Sequence, residues 1–232
     1  EGGGSTVHDS SGNGYDGELN NATWTTDTPS GSGYALDFDG IDDYVEIPDN
    51  NLLDFGANDF TVSFWVYKHS ATSNFDDNWG VNKWNTGASP GTNEWAINLG
   101  AGGNADQPAF KIESGTTSYK AESPDELIIN HWHMVTGVRE GTLIKLYVDG
   151  VLKGSTTVGN ATVNNVGRKV HIANSYTDDY HTDARFDDVR IYNYALSASE
   201  VLALSQPDNG PSLIGHWTFN ETSGTTANDL SG

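Results

Sequence analysis

Cysteine is absent from the 232-residue sequence, which excludes a disulfide framework and a thiolate site. Basic residues are also scarce: 11 Lys and Arg stand against 32 Asp and Glu, and the formal net charge is −21. Such a surface repels phosphate backbones and anionic headgroups, so we expect neither nucleic acid nor membrane as a partner. Cations of calcium-bearing water would screen this charge around a secreted protein. Acidity that merely keeps the protein soluble is the open alternative.

Long apolar runs are missing too, and none approaches the ~20 residues of a membrane span. The chain opens on Glu1-Gly-Gly-Gly rather than on a charged and then apolar leader. Its 27 glycines and many Asn, Asp, Ser and Thr residues are typical of a turn-rich extracellular module. We therefore expect a mature or excised piece of a secreted, bacterial protein.

Short strand patterns separated by turn residues follow one another along the chain. In Phe60–Tyr67 the even-numbered residues share one apolar face. His131–Arg139 and Leu143–Val148 form a pair, and the Asp-Gly dipeptide that follows predicts a tight hairpin into Val151–Val158. Roughly ten or more such strands predict an all-β fold, a two-sheet antiparallel β-sandwich of the jelly-roll type.

Ala35–Pro48 predicts two further strands joined by a tight turn at Gly40 that is crowded with carboxylates. We expect it to form a hairpin lying beside the C-terminal strand Phe186–Tyr192. Two tryptophans, Trp95 and Trp132, alternate with polar neighbours inside strands, and we assign both to the core.

One short helix is predicted over residues 198–205, because Ser197 and Glu200 form a capping box. The sandwich is expected to span residues 1–206, with a linker over 207–212. Glu221–Gly232 then repeats Glu1–Gly12 at an offset of 220, and six of the twelve positions are identical. Residues 213–232 are therefore predicted to be the first strand and turn of a repeat. That strand could fill an empty first-strand slot of its own sandwich or of a neighbour.

Several of these segments together resemble one family, the laminin-G-like jelly rolls of the concanavalin A-like lectin and glucanase superfamily. The resemblance covers residues 5–205 and implies two curved sheets, a calcium ion beside the first and last strands, and glycan or protein binding on the concave face or rim loops. Bacterial members often accompany polysaccharide-degrading enzymes or belong to adhesins, which implies an appended enzyme or further repeats. The segments that carry it, in the family's order, are Asp9–Gly14, Leu36–Val45, Phe60–Val66, Trp132–Arg139, Leu146–Gly150 and Phe186–Ser197.

The candidate calcium ligands are Asp9, Asn13, Gly40 and Asp187. Asp9 and Asn13 offer a carboxylate and an amide oxygen within one glycine-containing turn, and calcium takes six to eight oxygens. Asp187 resembles the carboxylate that the family's C-terminal strand contributes, and Gly40 could add a carbonyl. The alternative is that Asp9 caps an Asx-turn and Asp187 is a solvent-facing charge.

Two long loops, 73–84 and 174–185, mix aromatic rings that could stack on sugars with polar groups that could bind hydroxyls. Their cations, with Arg139, could accept a carboxylate or sulfate of an acidic polysaccharide. Packing is the alternative for each aromatic, and a second calcium is the alternative for the acids of the second loop. The candidate ligand-binding residues are Trp79, Lys83, Trp84, Arg139, Tyr176, Tyr180, His181 and Arg185.

Glucanases of this superfamily carry a Glu-x-Asp-x-x-Glu strand that supplies their catalytic carboxylates. The sequence lacks this pattern, and Asp42 with Glu46 is its nearest imitation. We therefore predict a non-catalytic, calcium-stabilised carbohydrate-binding module for a polysaccharide. The second candidate is a calcium-stabilised structural or adhesive repeat of a large secreted or surface protein.

Overall fold

The computed structural model describes residues 2–71, 78–85, 89–100, 107–175 and 180–206. A 3-10 helix (Asn51–Leu53) and an α-helix, α1 (Ala198–Leu204), accompany the strands. Within these ranges no helix is long and apolar enough to cross a membrane. The strands, in chain order, are β1 (Thr6–Val7), β2 (Gly17–Asn20), β3 (Thr23–Thr25), β4 (Ala35–Asp39), β5 (Tyr44–Ile47), β6 (Phe60–Lys68), β7 (Trp79–Asn82), β8 (Trp95–Asn98), β9 (Ala109–Ser114), β10 (Thr117–Glu122), β11 (Trp132–Glu140), β12 (Leu143–Val148), β13 (Val151–Thr157), β14 (Val170–Ile172) and β15 (Asp183–Tyr192).

The strands build two antiparallel sheets, which confirms the predicted β-sandwich. The eight-stranded sheet has the order β1-β2-β5-β14-β7-β8-β9-β10, and the seven-stranded sheet has the order β13-β12-β11-β6-β15-β4-β3. Side chains alternate between the two faces of each strand, so every second residue can reach a shared core.

The core lies between the sheets and is built from such alternating residues. The predicted apolar face of β6, which is Phe60, Val62, Phe64 and Val66, is fully buried there. Trp95 of the opposite sheet is buried in the same cluster, and its ring lies 6.2 Å from that of Phe60. Burying each large apolar side chain contributes about 1.5–3 kcal/mol relative to exposure, so this interface stabilises the sandwich.

The prediction of a hairpin over Ala35–Pro48 is wrong, because β4 and β5 belong to different sheets. Phe38 and Val45 both reach the core, one from each sheet, so the turn between them must carry the chain across the sandwich. Gly40 makes this turn with a φ of +74°, a conformation that glycine adopts without strain. The expected position of β4 is confirmed, since Leu36 pairs with Phe186 of β15.

The second predicted hairpin and the helix are both confirmed. Asp149 and Gly150 join β12 to β13 with φ values of +52° and +76°, as a two-residue type I′ turn requires. Helix α1 begins after Ser197, which forms the predicted capping box with Glu200. Its Val201 is buried in a small apolar cluster outside the main core.

The prediction that Trp132 belongs to the core is wrong. Its ring is partly exposed and lies 5.6 Å from the ring of Tyr67, while its indole nitrogen donates a hydrogen bond to Asp27 (3.3 Å). Trp132 begins β11 and lies outside the main core cluster, in which Val135 of the same strand is buried. The predicted linker over 207–212 and the repeated segment 213–232 lie outside the described residues.

Candidate functional site

The two segments predicted as ligand loops meet at one rim of the eight-stranded sheet. The Thr182 hydroxyl donates a hydrogen bond to the Trp79 carbonyl (2.8 Å) and accepts one from the Trp79 amide (2.7 Å). Close by, Asn174 pairs with His181, and the Asn82 side-chain amide donates to the Asn174 carbonyl (2.7 Å). Residues about a hundred positions apart are thereby fixed against each other.

A face of polar residues adjoins this rim on the side of the sheet away from the core. It arises by alternation: Val45, Val170 and Ile97 face the core, so their strand neighbours face the other way. His171 is the direct cross-strand partner of Glu46 on one side and of Asn82 on the other. We call this surface the polar face, and its residues are Tyr44, Glu46, Asn82, Asn98 and His171.

The aromatic centre of the polar face is Tyr44, whose ring lies close to two imidazoles. Its ring stacks on that of His171 with 6.1 Å between centroids and an interplanar angle of 19°. The ring of His181 lies at the same distance and is tilted by 42°. His181 also contacts the Asp43 carbonyl through Nδ1 (3.2 Å). These contacts hold three flat rings in one small region.

Two side-chain amides near this region are buried without a hydrogen-bond partner. Asn98, on the polar face, is 0% exposed, and Asn174, on the rim, is 1% exposed. Within the described structure, neither the oxygen nor the nitrogen of either amide is bonded, and the same holds for the indole nitrogen of Trp79. A buried polar atom without a partner costs about 1–3 kcal/mol, so such a cluster indicates a place for water or a ligand.

Trp79 is not a loop residue as predicted, since it begins β7 and is only 1% exposed. Lys83 is likewise buried, and its ammonium binds Asp49 (2.8 Å), Asp54 (2.5 Å) and Glu94 (2.9 Å). Burial opposes the charge of this lysine, but its carboxylate partners outweigh burial and raise the pKa of Lys83. Neither side chain is available at the surface as the sequence suggested.

The two predicted arginines also have partners inside the protein. Arg139 is 1% exposed and donates hydrogen bonds to the carbonyls of Gly56 (2.5 Å) and Ala161. Burial lowers the pKa of Arg139. Arg185 binds Asp27 (2.5 Å) and Asp37 (3.0 Å) on the outer face of the other sheet. These cations hold the sandwich together, and the structure does not bring them to the polar face.

The remaining predicted ligand residues are divided between the rim and its surroundings. Trp84 is partly buried, and the Lys111 ammonium lies 6.0 Å from its ring centroid. His181 lies at the rim and is buried, and Tyr180 beside it is partly exposed. Tyr176 lies outside the described residues.

Three of the four predicted calcium ligands, Asp9, Asn13 and Asp187, line one cleft of about 860 Å³. Both carboxylate oxygens of Asp9 accept hydrogen bonds from Ser11, as in an Asx-turn, and one also accepts from the Tyr15 amide (3.0 Å). Hydrogen bonding from Ser11 and Tyr15 lowers the pKa of Asp9. Burial raises the pKa of Asp187 to about 6, so its negative charge is poorly stabilised by the protein alone.

Gly40, the fourth predicted ligand, does not line this cleft. It lies beside Asp183 in the turn between β4 and β5, where Asp39, Asp42 and Asp43 place carboxylate oxygens within 4.8 Å of one another. Asp43 is buried and accepts a hydrogen bond from the Asp39 amide (2.8 Å). The structure therefore divides the predicted calcium residues between two places.

Sequence reasoning missed the centre of the site, namely Tyr44, Asn98, His171 and Asn174. The first three occupy strands as polar residues alternating with core residues, and most such residues simply face solvent. Only the pairing of β5, β14, β7 and β8 brings them together, and that pairing is long-range. The sequence feature that could have indicated these residues is an amide or imidazole within an otherwise apolar strand, namely Asn98 in WAIN and His171 in VHI.

Comparison with known proteins identifies the family. A family model described as the concanavalin A-like lectin/glucanases superfamily matches residues 39–202, which confirms the predicted resemblance. No protein matched in a search of the curated proteins.

Similar solved structures include one domain of an extracellular arabinanase and two domains described as binding domains. Domain 4 of AbnA, a GH43 extracellular arabinanase from Geobacillus stearothermophilus in complex with arabinotriose, has a TM-score of 0.67 and 20% identity over 86% of this chain and 93% of its own. The binding domain of Paraclostridial Mosquitocidal Protein 1 has a TM-score of 0.71 and 17% identity over 90% of this chain and 51% of its own. The binding domain of Botulinum Neurotoxin DC in complex with SialylT has a TM-score of 0.62 and 17% identity over 86% of this chain and 48% of its own. This chain spans about half the length of the two toxin domains.

Proposed function

Because this chain belongs to the concanavalin A-like lectin/glucanases superfamily, we propose that it is a non-catalytic carbohydrate-binding module whose polysaccharide ligand occupies the polar face and its rim. One observation carries the assignment: the buried amides of Asn98 and Asn174 have no hydrogen-bond partner within the described structure. A folded protein tolerates buried polar groups without partners where a bound ligand supplies the missing hydrogen bonds. The arabinotriose bound to the similar arabinanase domain is consistent with a saccharide as that ligand.

The chemistry of the polar face suits sugar hydroxyls. Each hydroxyl donates one hydrogen bond and accepts others, and a side-chain amide offers both a donor and an acceptor in one plane. Asn98 and Asn174 supply two such amides, but they are 0% and 1% exposed, so they reach a sugar through bridging water rather than by direct contact. The partly exposed ring of Tyr44 supplies a flat apolar surface against which a sugar ring can pack. An aromatic platform with a few orienting polar groups is the usual composition of a small-ligand site.

A neutral polysaccharide fits this site better than the acidic or sulfated one considered from the sequence. The cations considered for an anionic group, Lys83, Arg139 and Arg185, are all engaged by carboxylates or carbonyls of the protein. A net charge of −21 would in addition repel an anionic chain at long range.

The proposed absence of catalysis rests on the carboxylates nearest to the polar face. Glu46 pairs with Lys169 and lies 3.4 Å from His171. Asp42 belongs to the acidic turn with Asp39 and Asp43. A glycosidase needs two carboxyl groups facing each other across the scissile bond, and these two are engaged in separate clusters.

We also propose that calcium binds at the mouth of the cleft through Asp9, Asn13 and Asp187. The donor set fits, because it provides two carboxylates and an amide oxygen, and Asp187 is a partly buried acid whose charge the protein stabilises poorly. A bound cation would relieve that cost and tie the N-terminal turn to β15. Gly40 is not part of this set.

The likeness to an extracellular arabinanase domain supports a secreted location and a parent protein that carries an enzyme. The repeat of Glu1–Gly12 at 221–232 favours a second candidate, an adhesive or structural repeat of a longer surface protein. These alternatives differ in one property, which is whether the chain itself binds a glycan.

An affinity-gel screen would test the proposal with neutral polymers such as arabinan and xylan, sulfated polymers, and a gel without polysaccharide. We expect retardation by a neutral polymer that Asn174→Leu abolishes. Asn58→Leu, at an exposed amide in the turn before β6, is the matched control and should leave retardation unchanged. Equal migration in every gel would refute the module and leave the adhesive repeat.

A further inference from the structure

Lys83 and its three carboxylate partners form a buried group that the proposed glycan site does not use. The side chains of Lys83 and Glu94 are 0% exposed, and that of Asp54 is 8% exposed. The Lys83 ammonium nitrogen, Nζ, lies 2.5 Å from Asp54 Oδ1 and 2.9 Å from Glu94 Oε2. The third carboxylate, that of Asp49, lies 2.8 Å away and is 29% exposed. An amine and two carboxylates therefore meet where little water can reach them.

The backbone holds these side chains in position. Lys83 follows β7 and Glu94 precedes β8, and the Glu94 amide donates a hydrogen bond to the Lys83 carbonyl (3.2 Å). Asp54 ends the 3-10 helix as its C-cap residue. Phe55 and Trp95, which follow these two carboxylates in the chain, pack in the main core with 6.2 Å between their rings. The geometry of the group is therefore set by packed secondary structure.

The two buried carboxylates differ in how the protein holds them. Asp54 Oδ2 accepts a hydrogen bond from the side-chain amide of Asn165 (2.8 Å), which withdraws electron density from the carboxyl carbon. Glu94 Oε1 accepts hydrogen bonds from two backbone amides ahead of β14 (3.2 Å each), and its Oε2 faces Lys83. Burial raises the pKa of Glu94 although the Lys83 ammonium opposes the rise, so Glu94 can hold a proton. Asp54 is thus placed to be attacked by the amine, and Glu94 to carry the protons of the amine.

Two physical effects favour condensation of this ion pair to an amide. Burial of two charges costs free energy that their attraction offsets only in part, and an amide carries neither charge. Lasting contact also replaces a bimolecular encounter by an intramolecular one, which gives a large effective concentration. The carboxylates raise the pKa of Lys83, so its neutral amine is a minor form, and the long lifetime of the folded state supplies the time that the reaction needs. The exposed pair of Lys153 and Asp125 (2.8 Å) keeps its charges hydrated and lacks the first effect.

We propose that Lys83 and Asp54 condense in the folded protein to an intramolecular amide cross-link, an isopeptide bond, with Glu94 as its catalytic acid and base. The Nζ–Cγ bond forms and one carbon–oxygen bond of Asp54 breaks. Of the three ammonium protons, one stays on the amide nitrogen and two pass through Glu94 to the departing oxygen, which leaves as water. The bond joins positions 29 residues apart, in a chain that has no cysteine for a disulfide. It restrains the unfolded chain as a disulfide does, and it is independent of glycan binding at the polar face.

Intact-protein mass spectrometry of the full chain tests the proposal, because mass distinguishes the amide from the ion pair, whereas removing Lys83 destabilises both. We expect the protein, kept folded and then denatured in acid, to be lighter by one water molecule than the mass calculated from its sequence. Glu94→Gln keeps the shape of the side chain but cannot carry protons, and it should show the full calculated mass while circular dichroism reports an intact fold. Lys153→Arg, in the exposed pair, is the matched control and should keep the mass deficit. A full calculated mass of the unmodified protein would overturn the proposal, and an equal deficit in Glu94→Gln would overturn the role of Glu94.

Digestion with trypsin locates the missing water, since an Asp-Gly pair such as Asp39-Gly40 also loses water when it closes to an imide. Trypsin does not cleave after an acylated lysine. We therefore expect one branched product, in which residues 1–68, which include Asp54, are joined to residues 69–111 through the uncleaved Lys83. Lys83→Arg should abolish both the branch and the deficit. Separate peptides 1–68 and 69–83, with the deficit on the first alone, would place the loss at an imide and overturn the cross-link.

Discussion

The Thr182 hydroxyl bonds to both the amide and the carbonyl of Trp79, across 103 residues of sequence. This single side chain joins the start of β7 to the segment between β14 and β15, and so fixes the rim of the polar face. Both residues are almost completely buried, at 1% exposure each. The rim is therefore part of the packed sandwich, and its geometry should be sensitive to small changes.

Thr182→Val should weaken glycan binding and lower stability. Valine has the shape of threonine but no hydroxyl, so the Trp79 amide and carbonyl lose their partner at a cost of about 1–3 kcal/mol. Thr182→Ser keeps the hydroxyl and should retain most of both properties. Affinity gels and urea denaturation measure the two effects, and unchanged binding in the valine variant would show that the rim does not shape the site.

Asn98→Leu should raise stability while removing binding. The amide of Asn98 is fully buried and has no partner within the described structure. An apolar side chain of similar volume therefore removes the free-energy cost of burying an unpaired polar group. If that amide instead holds a ligand, the gain comes with a loss of affinity, the usual trade-off at functional sites. Thermal melts with and without polysaccharide distinguish the cases: a stabilised variant that still binds would remove Asn98 from the site.

Much of this fold follows from local patterns, and the site does not. Alternation predicts β6, and the Asp149-Gly150 turn and the Ser197 cap are local chemistry, so each is confirmed. The route from β4 to β5 was mispredicted because a turn residue such as Gly40 does not reveal whether the chain returns to its own sheet or crosses to the other.

Lys83 illustrates the limit of sequence reasoning for the site. Its partners Asp49, Asp54 and Glu94 lie before and after it in the chain, on separate segments. Nothing in the residues adjacent to Lys83 distinguishes a buried ammonium from a surface cation. Its role follows from tertiary packing, as does that of the amides on the polar face.

Removing calcium should change the relative stability of the protein and its Asp187→Asn variant. If calcium binds at the cleft, chelation lowers the melting temperature of the unmodified protein by several degrees, and the variant does not respond. In chelator the variant should be at least as stable as the unmodified protein, because burial disfavours the Asp187 charge and raises its pKa to about 6. Asp42→Asn, in the acidic turn, is the control and should keep the response to chelation. Loss of the response in that variant alone would place the ion at the turn instead.

Lys83→Met should strongly destabilise the sandwich without a specific effect on glycan recognition. Methionine replaces the stem but leaves Asp49, Asp54 and Glu94 without their shared cation, and a broken buried ion pair costs about 3–5 kcal/mol. Lys111→Met, at the cation beside the Trp84 ring, is the matched control and should change stability little. Urea denaturation measures both variants. Equal stabilities would contradict the structural role of Lys83.

Ionisation of Asp43 should lower the stability of the protein, measured in the presence of a chelator, as the pH rises from about 4 to 7. Burial raises its pKa, the hydrogen bond from the Asp39 amide opposes this, and the charges of Asp39 and Asp42 add to the rise. Since the folded state then holds the proton more tightly than the unfolded chain, the ionised carboxylate destabilises the fold above that raised pKa. Asp43→Asn keeps an oxygen for the Asp39 amide and removes the charge. The variant should therefore melt a few degrees higher than the unmodified protein at pH 7, and the difference should vanish near pH 4. A variant that melts lower at pH 7 in chelator would mean that the carboxylate itself stabilises the turn between the two sheets.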